Sequence, residues 1–269
     1  MYHFQALNET RLEQIAECFN FAFSDYEQPI HFTPESFRYY LTASGVDLSL
    51  SFGAFYGEQL VAIILNSAGR YNGESVVFDA GTGVVPEHRG KKVFSSLLTY
   101  TVQQLREKNI TKYYLETLQT NHHAVAIYKK KGFSVLREYS VLTASGPRSD
   151  WDKQIPACAY SEFESFETQF ATKPSFEHTS HTIDRNPQLY EVLYLPGQAY
   201  CIYAKRHGEV IQLHYNSLDA LKDVMSGLIA RYPSAMAKNI DYSCSKVIEM
   251  LKEIGFVEIL KQYEMVMDI

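Results

Sequence analysis

The sequence has 269 residues, of which 46% are hydrophobic and 21% are charged, and its formal net charge is -6 at pH 7. This composition is typical of a globular protein with ample material for a core, and the length predicts about two domains. The negative charge argues against general nucleic-acid binding. The sequence predicts no secretory signal and no membrane-spanning segment, so we expect a cytoplasmic protein without a nucleic-acid or membrane partner.

Cysteine and histidine spacing gives no strong sign of a metal centre. The four cysteines are widely separated and form no C-x-x-C pair; they are Cys18, Cys158, Cys201 and Cys244. We expect buried, reduced thiols rather than a zinc knuckle or a disulfide framework. The series His178-x-x-His181-x-x-Asp184 has the spacing of a metal site, but such pairs in polar loops are usually incidental, and we expect no metal.

The first half of the sequence alternates strand and helix patterns. Strands are predicted at residues 2–7, 48–55, 60–65, 75–85, 111–118 and 133–143. Predicted helices begin at the caps Asn8 and Thr33, after Arg89-Gly90 and at Asn121, and they end near Gly45, Lys108 and Lys131. Asn109 and Gly132 suit the left-handed position that follows a helix. The order is strand, two helices, three strands, helix, strand, helix, strand.

The most distinctive stretch connects the fourth predicted strand to the following helix. Pro86 ends the strand pattern, and helical spacing of apolar residues follows Gly90. The first turn of a helix has backbone N–H groups without intrahelical partners, and these groups favour an anion. Arg89, Lys91 and Lys92 add positive charge. The stretch predicts a phosphate site, with a basic connection on a solvated surface as the alternative.

Two blocks of the first half resemble a known family. Residues 82–98 resemble the acetyl-CoA pyrophosphate loop of the GCN5-related N-acetyltransferases, the GNAT family, whose pattern is V-x-P-E-x-R-G-x-G-x-G/A. Residues 115–133 are similar to that family's L-E-V-x-x-x-N-x-x-A-x-x-L-Y-x-x-x-G-F. The blocks stand in the family's order and separation, and the resemblance covers about residues 1–145.

Two positions of the first block depart from the family pattern. Lys92 stands where the family usually has its middle glycine, and Phe94 stands where it has Gly or Ala. A backbone N–H donor survives any substitution except proline, so these changes leave the expected location of the site unaltered. Lys92 also brings a positive charge to the expected phosphate position.

The resemblance implies an acetyl-CoA site and a pair of catalytic groups. The implied acetyl-CoA contacts are Val84, Val85, Arg89, Gly90, Lys91, Lys92, Val93, Phe94, Asn121 and Tyr128. By similarity to ribosomal-protein N-terminal acetyltransferases of the family, Glu116 is the base and Tyr128 is the acid that protonates the departing thiolate. A phenol suits the acid role because its usual pKa of about 10 keeps it protonated at neutral pH.

Alternatives stay open for each catalytic candidate. Tyr128 is also compatible with a core aromatic, and Glu116 with a cross-strand ion pair. Asp79, on the presumed central strand, is a second candidate base if it faces the site, which strand alternation leaves undecided. The oxyanion donor is expected on residues 81–85, where two glycines suggest a bulge that opens a gap for pantetheine.

The second half resembles a divergent copy of the first. Ser161 and Glu164 form a capping box that predicts a helix carrying Phe163, Phe166 and Phe170. Strands predicted at residues 200–204, 210–214 and 234–240 then alternate with helices predicted at residues 217–232 and 245–254, before a last strand opens at Gly255-Phe256. This order repeats the end of the first half.

Counting back from the two Gly-Phe pairs places Leu251 where the first half has Tyr128, and Cys244 where it has Asn121. The turn before the second long helix has neither arginine nor glycine. We therefore expect the second copy to bind no acyl-CoA.

Together the patterns and the resemblance predict a mixed α/β (α+β) fold with two GNAT-like domains, each a twisted, mostly antiparallel mixed sheet flanked by helices. The expected ranges are a catalytic domain at 1–145, a linker and connecting helix at 146–175, and a divergent domain at 176–269. The implied function is direct acetyl transfer from acetyl-CoA to a primary amine of a small molecule or peptide, by a monomer or homodimer. The alternatives are a regulatory module that binds acyl-CoA or an amine without turnover, and a purely structural tandem.

Overall fold

The computed structural model describes residues 1–25, 31–71, 73–146 and 153–269. The chain divides into two compact units. The first consists of Met1–Glu116, His123–Ser134 and Met265–Ile269, and the second of Thr117–His122 and Val135–Glu264. The C-terminal residues therefore complete the first unit, where the Lys112 ammonium lies 3.0 Å from Asp268 and the Ile269 N–H donates to the Thr111 carbonyl. The predicted domain ranges did not anticipate this return of the chain.

The first unit is built on an antiparallel sheet with one parallel addition. Its strands are β1 (Tyr2–Ala6), β2 (Phe52–Tyr56), β3 (Gln59–Tyr71), β4 (Glu74–Val84) and β5 (Lys112–Leu118). Its helices are α1 (Leu12–Ala22), α2 (Pro34–Ala43), α3 (Val93–Glu107) and α4 (His122–Lys130). Strands β1 to β4 pair antiparallel in sequence order, and β5 pairs parallel to β4 after the α3 crossover. This arrangement confirms the predicted fold class.

Local sequence signals set the ends of the helices. Thr33 caps α2, since its hydroxyl accepts from the Ser36 N–H at 3.2 Å while the Ser36 hydroxyl accepts from the Thr33 N–H. Gly45, Asn109 and Gly132 follow α2, α3 and α4 with positive φ angles of 63°, 58° and 102°. These three positions confirm the predicted helix ends.

Two predicted element starts in the first unit are wrong. Asn8 does not cap α1, because it lies in a turn and the helix begins at Leu12. The second strand starts later than residue 48, because the Asp47 carboxylate accepts the Ser49 N–H at 2.8 Å and holds the chain in a turn there. Side-chain hydrogen bonds to the backbone thus replace strand pairing at this point.

Aromatic side chains fill the core between the sheet and the first two helices. The Phe19 ring lies 4.5 to 5.8 Å, centroid to centroid, from Phe23, Phe32, Phe37 and Tyr40. A Cβ added at Gly81 would lie 3.2 Å from Phe19, and one at Gly83 would lie 2.7 Å from the Ala22 Cβ. The close approach of α1 therefore excludes a side chain at position 83 and leaves little room for one at position 81, and the bulge of β4 lies at Ala80 instead.

The second unit is a longer mixed sheet. Its elements are β6 (Ser134–Ala144), β7 (Ala157–Ala159), β8 (Gln169–Phe170), α5 (Ser180–Ile183), β9 (Tyr190–Leu195), β10 (Ala199–Ala204), β11 (Glu209–Tyr215), α6 (Leu218–Arg231), β12 (Met236–Asp241), α7 (Ser245–Glu253) and β13 (Phe256–Asp268). The strand order is β13-β6-β12-β11-β10-β9-β7, and β8 pairs with β11. Helix α6 packs its buried face, including Leu221, Val224 and Leu228, into the core of this unit.

The helix predicted from the capping box at Ser161 is wrong. Residues Tyr160–Glu162 form a single 3-10 turn, and Phe163 is extended. The Phe163 and Phe166 rings instead pack on Tyr200 of the sheet, with centroids 4.9 and 5.3 Å away. Burial of these rings against the sheet outweighs a local capping signal whose contribution is about 1 kcal/mol.

The residues with metal-like spacing lie in or directly after two short helical turns of the second unit. His178 is buried in a 3-10 turn, and its carbonyl accepts from the Gln212 amide at 2.6 Å. Asp184 follows α5 and accepts from the Tyr160 hydroxyl at 3.0 Å. Within the described ranges, no group of three or more His, Cys, Asp or Glu side chains is arranged to hold a metal ion.

The closing elements of the two units repeat one another. Helices α4 and α7 each have nine residues. Gly132 and Gly255 follow them with φ angles of 102° and 105°, and Phe133 and Phe256 are both buried. Both units thus close on the same order of helix, glycine and buried phenylalanine, and the assignment of the second unit as a divergent GNAT-like copy stays a prediction.

Two further properties bear on the sequence predictions. All four cysteines are free thiols, with Cys18 and Cys201 buried and the other two half-buried. None of the helices in the described ranges combines the length and hydropathy that crossing a membrane requires.

Candidate active site

The connection between β4 and α3 contains two residues in the left-handed conformation. Pro86–His88 form one 3-10 turn, after which Gly90 has a φ of 71° and Lys92 a φ of 62°. Glycine adopts such angles without strain, whereas a side chain costs about 1 to 2 kcal/mol. The conformation explains why glycine suits position 92 and shows that Lys92 departs from the family pattern at an energetic cost.

Helix α3 begins without a side-chain cap. Lys92 occupies the N-cap position and its side chain makes no capping hydrogen bond. The first intrahelical bond runs from the Ser96 N–H to the Lys92 carbonyl at 3.0 Å, so the N–H groups of Val93, Phe94 and Ser95 precede the helical ladder. Lys91 and Lys92 are exposed beside them. This end of α3 can therefore accept an anion.

Arg89 joins the β4–α3 connection to the end of α1 through hydrogen bonds. Its guanidinium donates to both oxygens of Asp25 at 2.5 and 3.0 Å, to the Ala22 carbonyl at 2.8 Å and to the Val84 carbonyl at 3.0 Å. The pKa of the Asp25 carboxyl is lowered mainly by the hydrogen bond from Arg89. Arg89 thus has a structural role, and its contact with a phosphate stays a prediction.

The remaining predicted acetyl-CoA contacts lie on several elements. Val84 ends β4, and Val85 and Val93 are buried. Phe94 packs its ring against the edge of Tyr128, 5.6 Å between centroids. Asn121 is half-buried in the turn before α4, where its N–H donates to the Leu118 carbonyl at 3.1 Å. The bulky residue at position 94 therefore contributes to holding the Tyr128 ring.

Asp79 and Tyr128 are brought into direct contact. Asp79 lies on β4, and its carboxylate accepts a hydrogen bond from the Tyr128 hydroxyl of α4. It also accepts from the Thr82 hydroxyl at 2.6 Å and from the Gly81 N–H at 3.0 Å. The Tyr128 ring is buried against Phe94 and Phe133, so Tyr128 is both a core aromatic and a hydrogen-bond donor.

Burial sets the protonation behaviour of this cluster. Desolvation raises the pKa of Asp79 from 3.8 to about 6, although the hydrogen bonds from Thr82, Gly81 and Tyr128 oppose the rise. Burial and the nearby Asp79 also raise the pKa of Tyr113 well above its usual value. The Tyr113 hydroxyl donates to the Asn66 side-chain oxygen at 2.7 Å. The cluster therefore holds one carboxyl group that titrates close to neutral pH.

Glu116 lies one position beyond the end of the β4–β5 pairing. The pairs run from Val76 with Lys112 to Asp79 with Leu115. Paired residues share a face of the sheet and successive residues alternate, so alternation places Glu116 on the face opposite Asp79. The structure thus brings Asp79 and Tyr128 together on one face, and the base role of Glu116 stays a prediction.

A bulge lies beside this cluster, at Ala80. Pairing between β3 and β4 shifts there, from Asn66 with Asp79 to Leu65 with Gly81. The Ala80 carbonyl accepts from the Tyr40 hydroxyl of α2. Past the Asp79–Leu115 pair, both β4 and β5 continue within residues 73–146, which are described without a break, but no further pair joins them. The strands therefore separate next to Asp79, one residue before the predicted range 81–85.

The sequence predictions missed several groups that build this site. They are Asp25, Tyr40, Asn66, Thr82 and Tyr113. Only Thr82 had a local signal, since a hydroxyl three residues after an aspartate often bonds to it. The other contacts span between 40 and 64 positions in sequence, so no spacing rule identifies them.

Comparisons with known proteins agree with this geometry. Residues 12–133 match the family model described as "Acetyltransferase (GNAT) family". No curated protein matches the sequence. Among solved structures, the chain resembles a GCN5-related N-acetyltransferase from Sphaerobacter thermophilus, with a TM-score of 0.68 and 12% identity over 99% of this chain and 95% of that one.

Two further structures show the same fold. One is a protein from Pyrococcus horikoshii named as a candidate acetyltransferase, with a TM-score of 0.69 and 12% identity over 100% of this chain and 89% of the other. The second is a GCN5-related N-acetyltransferase from Anabaena variabilis, with a TM-score of 0.58 and 12% identity over 99% and 72%. Through residues 12–133, this chain is similar to the GNAT acetyltransferase family, and it has the fold of these solved structures.

Proposed function

We propose that this protein is an N-acetyltransferase that moves the acetyl group of acetyl-CoA directly to a primary amine. The observation that carries the proposal is the Tyr128 hydroxyl, which is hydrogen-bonded to Asp79 where β4 and β5 separate. The uncapped start of α3 in the same unit supplies the donors that a pyrophosphate requires. These groups suit the activity of the acetyltransferase family whose model residues 12–133 match.

The proposed reaction uses the start of α3 to bind acetyl-CoA and the Tyr128 hydroxyl as the acid. The pyrophosphate binds at Gly90 to Phe94, with Lys91 and Lys92 adding charge, and the pantetheine lies between β4 and β5. A neutral amine attacks the thioester carbonyl, whose developing oxyanion is held by a backbone N–H of residues 81–85. The nitrogen loses a proton to a base, for which Glu116 and Asp79 are the candidates, and as the carbon–sulfur bond breaks Tyr128 donates a proton to the sulfur.

The acceptor is proposed to be a small molecule or a peptide with a primary amine. A net charge of -6 favours a cationic acceptor through long-range attraction. We infer a cytoplasmic monomer or homodimer that needs no metal for this reaction, since amine attack on a thioester requires only proton transfer and oxyanion stabilisation.

Glu116 and Asp79 remain rival bases, and one substitution separates them. If Glu116 deprotonates the amine, Glu116→Gln lowers the rate at neutral pH, and raising the pH restores part of it because solvent then supplies more neutral amine. The measurement is the pH–rate profile of the variant beside that of the wild type. An unchanged profile assigns the base role to Asp79 or to water.

A panel of primary amines tests the proposal, with CoA release followed beside acetyl-CoA affinity. Amine-dependent thiol release supports the acetyltransferase. The second candidate is a binding module without turnover, which the strained Lys92 and the bulky Phe94 at two glycine-type positions favour. Tight acetyl-CoA binding with no thiol release from any amine would support that module instead.

A further inference from the structure

Three donors converge on the Asp79 carboxylate. The Gly81 N–H and the Thr82 hydroxyl reach separate oxygens, Oδ1 at 3.0 Å and Oδ2 at 2.6 Å. The third donor is the Tyr128 hydroxyl. The bulge at Ala80 turns the chain so that Gly81 and Thr82 can reach back to the side chain two and three residues before them. The carboxylate is therefore fixed on the backbone of its own strand and held against the phenol.

Counting protons shows a consequence of this contact. A phenol has one hydrogen to donate, and in the resting site Tyr128 donates it to Asp79. The same hydrogen cannot reach a thiolate while that bond persists. If Asp79 gains a proton, it becomes a donor to the phenol oxygen, and the Tyr128 hydrogen is released to another acceptor. Protonation of Asp79 would thus change the acceptor to which the Tyr128 hydroxyl donates its hydrogen.

We propose that Asp79 and Tyr128 form a two-residue proton relay, in which Thr82 is a positioning residue for the carboxylate. The inference rests on the proposed acetyl transfer. The amine loses a proton to Asp79 as its nitrogen bonds to the acetyl carbon. When the carbon–sulfur bond breaks, the Tyr128 hydrogen passes to the sulfur and the Asp79 proton passes to the Tyr128 oxygen. Both residues end as they began, and the proton lost by the amine is balanced by the one gained by CoA.

The surroundings of the pair suit a proton-accepting carboxylate. Among the described residues, the groups that lower the Asp79 pKa are the three hydrogen-bond donors, with no cation, and burial raises it to about 6. The titratable group facing the pair from β5 is Tyr113, whose own pKa is raised and whose hydroxyl donates to Asn66 of β3. Tyr113 therefore stays neutral, and Asp79 is the group of this cluster that titrates near neutral pH.

Carbon-13 NMR of the Asp79 carboxyl tests the hydrogen-bonded unit without any substrate. We expect a midpoint of about 6 in the wild type. Thr82→Val and Tyr128→Phe each remove a donor to the charged form, so each should raise the midpoint by up to about one pH unit. Thr82→Ser keeps the hydroxyl and should restore the wild-type midpoint, which separates the hydrogen bond from a general packing effect.

The pH dependence of acetyl transfer then tests the relay itself. The acidic limb of kcat should follow the Asp79 midpoint in the wild type, shift upward in Thr82→Val, and return in Thr82→Ser. Midpoints that stay unmoved in both donor-removing variants would overturn the coupling. Moved midpoints without a matching shift in the rate profile of an active enzyme would overturn the relay while the acetyltransferase stands. Absence of thiol release from every amine would instead remove the proposed function, and the relay with it.

Discussion

The two units differ most at the same place in their folds. In the first, β4 and β5 pair in parallel up to Asp79 and Leu115 and then separate. In the second, β11 and β12 pair in parallel up to Val210 and Ala237. The last paired residue is thus a titratable aspartate in one unit and a buried valine in the other. Beyond that pair, the second unit bonds residues 169–175 of its own chain to both strands.

Hydrogen bonds on both sides hold this segment of the second unit. Phe170 pairs with His214 of β11, and the Ala171 N–H donates to the Leu213 carbonyl at 2.8 Å. Toward β12, the Thr172 hydroxyl accepts from the Asp241 N–H, and the Ser175 hydroxyl accepts from the Asn239 amide, both at 2.9 Å. Residues 169–175 therefore occupy the space beside β11 and β12 that corresponds to the space between β4 and β5. In the first unit, we assign that space to pantetheine.

The two units also differ at the N-terminus of the helix that follows β4 in the first unit and β11 in the second. Helix α6 is capped by Ser217, whose hydroxyl accepts from the Ala220 N–H at 3.3 Å, whereas α3 has no side-chain cap. Leu251, fully buried on α7, stands at the position that corresponds to Tyr128, so the second unit has no hydroxyl there. The second unit thus satisfies internally, or lacks, the groups that correspond to those we assign to binding and catalysis in the first unit. We expect acetyl-CoA binding and chemistry in the first unit alone.

Removing the Tyr128 hydroxyl should have the largest effect on activity, and it tests the difference between the two units most strongly. Tyr128→Phe should lower kcat by about 10² to 10⁴, because the general acid is lost while the ring still packs. Acetyl-CoA affinity should stay almost unchanged by calorimetry. The matched control is Tyr203→Phe in the second unit, which also removes a hydroxyl bonded to a carboxylate, here Glu191 at 2.6 Å. Equal rate losses in both variants would remove the distinction between the units.

The next largest effect is on stability, and it concerns the charge of Asp79 where β4 and β5 separate. Because the pKa of Asp79 is raised from 3.8 to about 6, the wild type should lose stability as pH rises through that range, and the loss is complete above about 6. Asp79→Asn removes this cost of about 3 kcal/mol and loses a hydrogen bond worth about 1 kcal/mol. The variant should therefore be up to about 2 kcal/mol more stable at pH 8, with little advantage at pH 4.

Urea unfolding of the Asp79→Asn variant and the wild type across pH 4 to 8 measures this difference. Val210, the counterpart of Asp79, carries no charge, so Val210→Ala should lower stability by a similar amount at every pH. If wild type and Asp79→Asn keep a constant difference across the range, the buried carboxylate carries no such cost.

The smallest expected effect is at Lys92. Lys92→Gly should raise stability by up to about 1 kcal/mol, because glycine adopts a positive φ without strain. Acetyl-CoA affinity should nevertheless fall and its salt dependence flatten, since a phosphate contact is lost. Asn109→Gly is the control, because Asn109 has a φ of 58° at the other end of α3. Unchanged or tighter acetyl-CoA binding by Lys92→Gly would show that the lysine only tolerates a glycine position.

Part of the fold and of the candidate site could be predicted from the sequence, because these features depend on residues that are close together in sequence. Thr33, Asn109 and Gly132 set helix ends through backbone conformations that residue type alone favours. The two motif blocks located the β4–α3 connection and Tyr128. The absence of arginine and glycine before α6 is also a local signal, and the inference from it, that the second copy binds no acyl-CoA, stays a prediction.

The parts that sequence could not predict depend on contacts between distant positions. The segment after Ser161 has a helix-start signal but packs its aromatic rings on β10. Residues 169–175 bond to positions far along the chain, as Ser175 and Thr172 do across 64 and 69 positions. Finding which face of the sheet carries Asp79 and which carries Glu116 required the register of β4 against β5, and a shift of one residue would have reversed their faces.

Calorimetric titration of acetyl-CoA into the protein tests the central claim most directly. One acetyl-CoA should bind per chain, with Gly90→Pro abolishing the signal, because proline removes an N–H donor and forbids the φ of 71° found there. Gly197→Ala, at a positive φ in the turn between β9 and β10, should bind as the wild type does. No binding at millimolar acetyl-CoA, or two sites per chain, would contradict the account.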